Sequence, residues 1–185
     1  MIYTVFAGVN GAGKSSTYGM LSEFERISLG VRLNVDERVA ELGDWRDDTL
    51  QIRCAREILK EVNDCIRNNI SFNQETTLSG MTTVKKIIEA KQKGFVVHLY
   101  YVFIESPELA IQRIKGRVSR GGHGISDDIV RRRFYESLEN LKLVIPYCNK
   151  VHIYDNTERF KLVIVINDGE IDVIDKSFDV KRIFR

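Results

Sequence analysis

The run Ile2-Tyr3-Thr4-Val5-Phe6-Ala7-Gly8-Val9-Asn10-Gly11-Ala12-Gly13-Lys14-Ser15-Ser16 decides how the rest of this chain is read. Its first six residues are β-branched, aromatic or small, the composition of a buried strand. The next eight follow Gly-x4-Gly-Lys-Ser, and residues 14–27 then carry Tyr18, Leu21 and Phe24 at helical spacing. A glycine-rich turn between strand and helix lets the backbone wrap around a phosphate with its N–H groups pointing inward. The free donors and positive dipole end of the helix add to that pull. Gly8, Asn10, Gly11, Ala12, Gly13, Lys14, Ser15 and Ser16 are therefore expected to cradle a nucleotide, ATP in the first instance. Lys14 is expected to bridge its β- and γ-phosphates and the Ser15 hydroxyl to ligate Mg²⁺.

Outward from this loop, strands and helices alternate. Residues 31–35 read as a second strand ending at Asp36, and residues 49–68 as an amphipathic helix with Leu50, Cys54, Ile58, Val62 and Ile66 at an i, i+4 period. Residues 70–75 make a weaker third strand and residues 82–93 a helix. The stretch 95–104 is apolar on both faces, as a central parallel strand should be. Ser106-Pro107-Glu108 reads as N-cap, N1 and N2 of a helix, Ser126-Asp127-Asp128 begins another, and residues 151–154 supply a last core strand. Asn167-Asp168-Gly169 marks a terminal hairpin between residues 160–166 and 170–174. The predicted fold is α/β, a three-layer sandwich around a mostly parallel sheet of about five strands. One domain is expected over residues 1–185: a core over 1–156, a lid around 113–133, and a hairpin with tail over 157–185.

The bulk properties narrow the function classes. A formal net charge of +2 gives no general attraction to nucleic acid or membrane surfaces. The longest apolar run is about half of what a membrane helix requires. Cys54, Cys65 and Cys148 lack metal-site spacing and are an odd number, so buried thiols in a reducing cytoplasm are expected. Asn149-Lys150-Val151-His152 has His where a guanine-reading Asp belongs, and no apolar strand ends in an Asp suited to a second metal-site motif. These features lean towards a kinase acting on a small molecule.

Phosphoryl transfer to a hydroxyl needs a carboxylate beside the γ-phosphate, and parallel sheets present such groups at the C-terminal ends of strands. Asp36 and Glu75 have that placement, although Asp36 also suits a helix N-cap. Glu75-Thr76-Thr77 offers an acceptor and two hydroxyls for a polyhydroxylated substrate, or merely a polar turn. Basic residues gather from Arg113 to Arg133, and arginine forks suit a transferring phosphoryl group. Consecutive arginines on a helix point about 100° apart, so Arg131, Arg132 and Arg133 cannot all face one ligand. His123, between glycines, is a lid residue or a plain loop histidine.

Taken together, Gly8 to Ser15, Asn34-Val35-Asp36, Phe72-Asn73-Gln74-Glu75-Thr76-Thr77-Leu78-Ser79-Gly80 and the lid containing Arg120-Gly121-Gly122-His123 and Arg131-Arg132-Arg133 resemble the zeta-toxin family of P-loop kinases. The resemblance covers residues 1–156 and leaves the terminal hairpin outside. It implies phosphoryl transfer from ATP to the 3′-hydroxyl of the amino sugar in UDP-N-acetylglucosamine, and an antitoxin as a protein partner. By motif it implies Asp36 as catalytic base, Lys14 as the loop lysine, and Glu75 with Thr76 and Thr77 on the substrate. Arg120 and Arg133 are the lid arginines it favours, with Arg117 and Arg132 behind them. Asn73 and Gln74 depart from the family's apolar third strand and predict a strand that is short or unusually exposed. Two other readings stay open: a kinase for another sugar, nucleoside or metabolite, and a nucleotide-binding switch without turnover.

Overall fold

The computed structural model describes residues 1–21, 28–122 and 124–184. Among these residues seven strands form one sheet in the order β2-β3-β1-β4-β5-β6-β7. They are β1 Ile2–Ala7, β2 Val31–Leu33, β3 Phe72–Thr76, β4 Val96–Phe103, β5 Lys150–Asp155, β6 Lys161–Asn167 and β7 Glu170–Val173. The first five pair in parallel and the last two antiparallel. The helices of eight or more residues are α2 Val35–Leu42, α3 Asp48–Arg67, α4 Met81–Gln92, α5 Pro107–Val118 and α6 Asp127–Val144, while α1 is Lys14–Gly19. The expected continuation of α1 to residue 27 falls partly on residues outside the described ones, as does His123.

One sheet face carries the main core. Tyr3, Val5, Phe72, Val97, Leu99, Val151 and Ile153 pack there against Ile58, Val62 and Ile66 of α3, Val84 and Ile87 of α4, and Leu141 of α6. A second cluster lies under the glycine-rich loop, where Val9 and Ala12 meet Val102, Ile114 and Phe134. The chain leaves β1 towards β2, returns to β3, then crosses to β4, so β1 lies at a topological switch point. Crevices for ligands open at the C-terminal ends of strands at such points. No helix among the described residues is long and apolar enough to cross a membrane.

Two expectations are corrected. The second strand stops at Leu33 because Asn34 is the N-cap of α2, its side chain accepting from the amides of Asp36 and Glu37; Asp36 is thus in the first turn and is not itself the cap. The third strand is not exposed: Asn73 is fully buried, its amide donating to the carbonyls of Gly30 and Val31 and its oxygen accepting from Arg32. A polar side chain enters a strand without penalty when every polar atom finds a partner. The five parallel strands and the C-terminal hairpin are as expected, and the hairpin extends the main sheet, since β6 pairs with β5 along its length. Its turn has positive φ at both Asp168 and Gly169, the backbone twist that a two-residue hairpin favours. Cys54, Cys65 and Cys148 are buried free thiols, and burial pushes Cys148 up to about 12.

Candidate active site

The loop after β1 is held from several sides. A Cβ added at Gly8, where φ is 138°, would lie 2.4 Å from the carbonyl oxygen of Val102 in the neighbouring strand. The loop therefore presses on β4 more closely than any side chain permits. The Asn156 amide, just past β5, donates to the Ala12 carbonyl at 2.7 Å, and its backbone carbonyl accepts from Arg113 of α5 at 2.7 Å. Lys14 folds back and donates from Nζ to the Val9 carbonyl at 3.3 Å. Burial lowers the Lys14 pKa from its ordinary value; Glu75 and Asp36 oppose that shift, and Arg117 and Arg133 reinforce it.

Two cavities, each of about 400 Å³, flank this lysine. The first, on the loop side, is bounded by Gly11, Gly13, Ser15, Ser16, Arg113, Arg117 and Arg120. The second runs between α3 and the end of β3 and is bounded by Asn34, Gln51, Ile52, Thr76, Thr77 and Arg133. Asn10, Lys14, Asp36 and Glu75 line both. A group moving from a ligand in one cavity to a ligand in the other passes these four side chains.

Of the residues singled out in the sequence, Gly8 and Ala12 line neither cavity, Gly11, Gly13, Ser15, Ser16, Arg117 and Arg120 line the loop-side one, and Thr76, Thr77 and Arg133 line the other. Arg133 donates to the Asn10 side-chain oxygen at 3.1 Å, and burial, with Arg132 beside it, lowers its pKa. Arg132 instead faces Glu136 at 3.7 Å and is largely exposed, while Arg131 pairs with Glu108 and Asp128. The triplet fans out as helical geometry requires. Thr76 Oγ1 accepts from the amide of Leu78, and Thr77 shares a hydrogen bond with Ser79. This turn is tied to α6 by Asn140, which donates to the Leu78 carbonyl at 2.9 Å.

Glu75 is the more heavily engaged of the two acids in the shared wall. Its side chain, 6% exposed, accepts from Ser15 Oγ at 2.7 Å, Arg32 Nη2 at 2.8 Å and Asn34 Nδ2 at 3.1 Å. Ser15, Glu75 and Asp36 supply hard oxygen atoms at one edge of the loop-side cavity. Such donors fit Mg²⁺, which takes one or two protein ligands and completes its shell with phosphate and water. Sequence reasoning missed Arg32, Asn34, Asn156 and the α3 wall of Gln51 and Ile52. Two signals were present: a lone arginine inside the apolar Val31-Arg32-Leu33, and Asn34 followed three residues later by Glu37, the spacing of a capping box.

Strand order, loop and paired cavities together define a P-loop fold of the kinase type. The Zeta toxin family model matches residues 2–168, and the chain belongs to that family. The match runs through β6 to the hairpin turn, beyond the residues on which the resemblance was read. An uncharacterized protein of Haemophilus influenzae is 33% identical over 129 residues, covering 70% of this chain and 89% of that one. The fold resembles AvrRxo1-ORF1:AvrRxo1-ORF2 solved with ATP, with a TM-score of 0.65, 15% identity, and coverage of 95% of this chain and 61% of that chain. It also resembles a structure from the PezAT chromosomal toxin–antitoxin system of Streptococcus pneumoniae, with a TM-score of 0.58, 17% identity and coverage of 89% and 71%. The chain thus spans about three fifths of the AvrRxo1 chain it matches.

Proposed function

We propose that the protein is a kinase that transfers the γ-phosphoryl group of ATP to a hydroxyl of a sugar nucleotide of the UDP-N-acetylglucosamine type. The observation that carries this reading is the pair of cavities meeting at Asn10, Lys14, Asp36 and Glu75. ATP occupies the loop-side cavity, with its phosphates on the loop amides and Lys14 and its outer oxygens within reach of Arg117 and Arg120. The acceptor occupies the other, with Thr76, Thr77 and Glu75 as its polar partners. Ser15 would hold Mg²⁺, which would supply charge neutralisation for the nucleotide's phosphates. Asp36 takes the proton of the acceptor hydroxyl as that oxygen bonds to the γ-phosphorus. The bond to the bridging oxygen breaks, ADP leaves, and Arg133 and Lys14 hold the charge of the moving phosphoryl.

Residues 1–185 are read as one kinase unit, a reading supported by the hairpin's place in the main sheet. A cytoplasmic site of action and an antitoxin-like protein partner are part of the same proposal; the PezAT structure belongs to a toxin–antitoxin system. The test is mass spectrometry of UDP-N-acetylglucosamine after incubation with ATP, Mg²⁺ and the protein, beside Lys14→Ala. A product heavier by one phosphoryl group, absent from the variant, is expected. ADP release with some other hydroxyl compound, and none with the sugar nucleotide, would refute the acceptor and leave the kinase.

A further inference from the structure

Arg32 is the least expected charge near the site. It projects from β2, an edge strand of three residues, yet its side chain is only 17% exposed. Nη2 reaches both Glu75 Oε2 and Glu37 Oε1 at 2.8 Å, and Nη1 donates to Asn73 Oδ1 at 3.1 Å. The guanidinium carbon also lies 3.8 Å from the ring centroid of Tyr18, on the helix that begins at Lys14. One planar cation therefore touches α1, β3 and the first turn of α2, the three elements that carry Ser15, Glu75 and Asp36.

The two oxygens of Glu75 are used differently. Oε2 is taken by Arg32 and Asn34, whereas Oε1 accepts from Ser15 Oγ. A hydroxyl that gives its one proton to Glu75 turns its lone pairs elsewhere, and Ser15 lines the loop-side cavity. With Oε2 fixed, the carboxylate is held against rotation towards the Lys14 ammonium, the cation of the shared wall. Outer-shell hydrogen bonds of this kind set the orientation and basicity of metal ligands.

We propose that Arg32 is a positioning residue for the metal–nucleotide site, acting through Glu75 on the Ser15 hydroxyl. Glu75 then serves the metal side of the site as well as the acceptor side. The inference rests on the nucleotide reading given above, but not on the identity of the acceptor.

The test is calorimetric binding of ATP, with Mg²⁺ and with EDTA, to the wild type, Arg32→Met, Arg32→Lys and Glu75→Gln, each checked by thermal melting. The wild type is expected to bind ATP more tightly with Mg²⁺. Arg32→Met should lose about tenfold of that enhancement, the lower end for outer-shell partners of a metal ligand, while affinity in EDTA stays within about twofold. Arg32→Lys should recover part of it, because an ammonium can hold Glu75 but cannot bridge Asn73 and Glu37 at once. A folded Arg32→Met with the full enhancement would overturn the proposal. If that variant does not fold, Glu75→Gln decides: an undiminished enhancement there overturns it equally. A wild type that binds ATP equally well in both buffers also overturns it. An intact enhancement with a raised acceptor KM would place Arg32 and Glu75 on the acceptor alone. Absence of transfer to any acceptor, with the enhancement behaving as expected, would sink the kinase reading and leave this one standing.

Discussion

Replacing Gly8 by alanine is the sharpest probe of how the phosphate loop is built. The new Cβ would sit 2.4 Å from the Val102 carbonyl oxygen, at a φ of 138°. Carbon and oxygen need roughly 1 Å more than that to touch without overlap, judged from ordinary close contacts. An alanine methyl has no rotamer to change, and its neighbour is backbone in a central strand. Either the loop lifts away from β4 or β4 bends. Backbone strain of about 1–3 kcal/mol and overpacking of a similar size give a loss of about 2–6 kcal/mol. For a chain of this length that is on the order of 10 °C in melting temperature. Gly169 is the matched control, since its φ is 91° but nothing lies within 4 Å of the added carbon. Gly169→Ala should cost only the backbone term, about 1 kcal/mol. Thermal melting and ATP titration of both variants give the comparison. Should Gly8→Ala melt with Gly169→Ala and bind ATP as the wild type does, the close approach of loop and strand would be refuted.

Asp36→Asn should lower kcat by about 10²–10⁴, the range for a lost general base, with ATP affinity nearly unchanged; a variant turning over within a few-fold of wild type would remove Asp36 from the proton transfer. Asn156→Ala removes the donor to the Ala12 carbonyl, and the unpaired carbonyl of about 1–3 kcal/mol should weaken ATP binding about tenfold. Unchanged affinity would show that the loop holds its shape without that pin. His152 is pushed down to about 4 from its ordinary value of 6.5 by burial, with Lys150 and His98 adding to it. Between those values the unfolded chain binds a proton that the folded one does not, so stability should rise with pH across about 4–6.5. His152→Phe should flatten denaturant-measured stability across that window; an unchanged slope would clear His152 of the effect.

The parts of this fold that were legible in the sequence are those encoded locally. Gly8 to Ser15 carries its own turn chemistry, Ser106-Pro107-Glu108 its own cap, and the Asp168-Gly169 turn its own twist, and each forms where it was read. The strand order was not legible, because β1 pairs with β3 and β4, both far along the chain. The same distance hid the environment of Glu75. Its partners Ser15, Arg32 and Asn34 come from three separate elements, and only the pairing of β2 with β3 brings Arg32 and Asn73 alongside one another. Asn73 looked misplaced for a related reason: its partners Gly30, Val31 and Arg32 precede β3 by two helices. Within the candidate site, the loop and the two carboxylates were readable from position, but the α3 wall was not. Ile52 and Gln51 look like ordinary helix residues until α3 is laid beside the end of β3.

The buttressing of the glycine-rich loop also bears on the order in which the molecule acquires its shape during synthesis. The loop leaves the ribosome before its supports do: the carbonyl against which Gly8 rests belongs to β4, and the amide that holds Ala12 follows β5. Domains fold as units once their long-range partners have emerged, and pairings between distant strands are slow to form. A nascent chain halted before Asn156 would carry the whole phosphate-binding motif as sequence without its supports. Nucleotide capture by this protein thus waits for β4 and Asn156, although the motif that performs it is made before either.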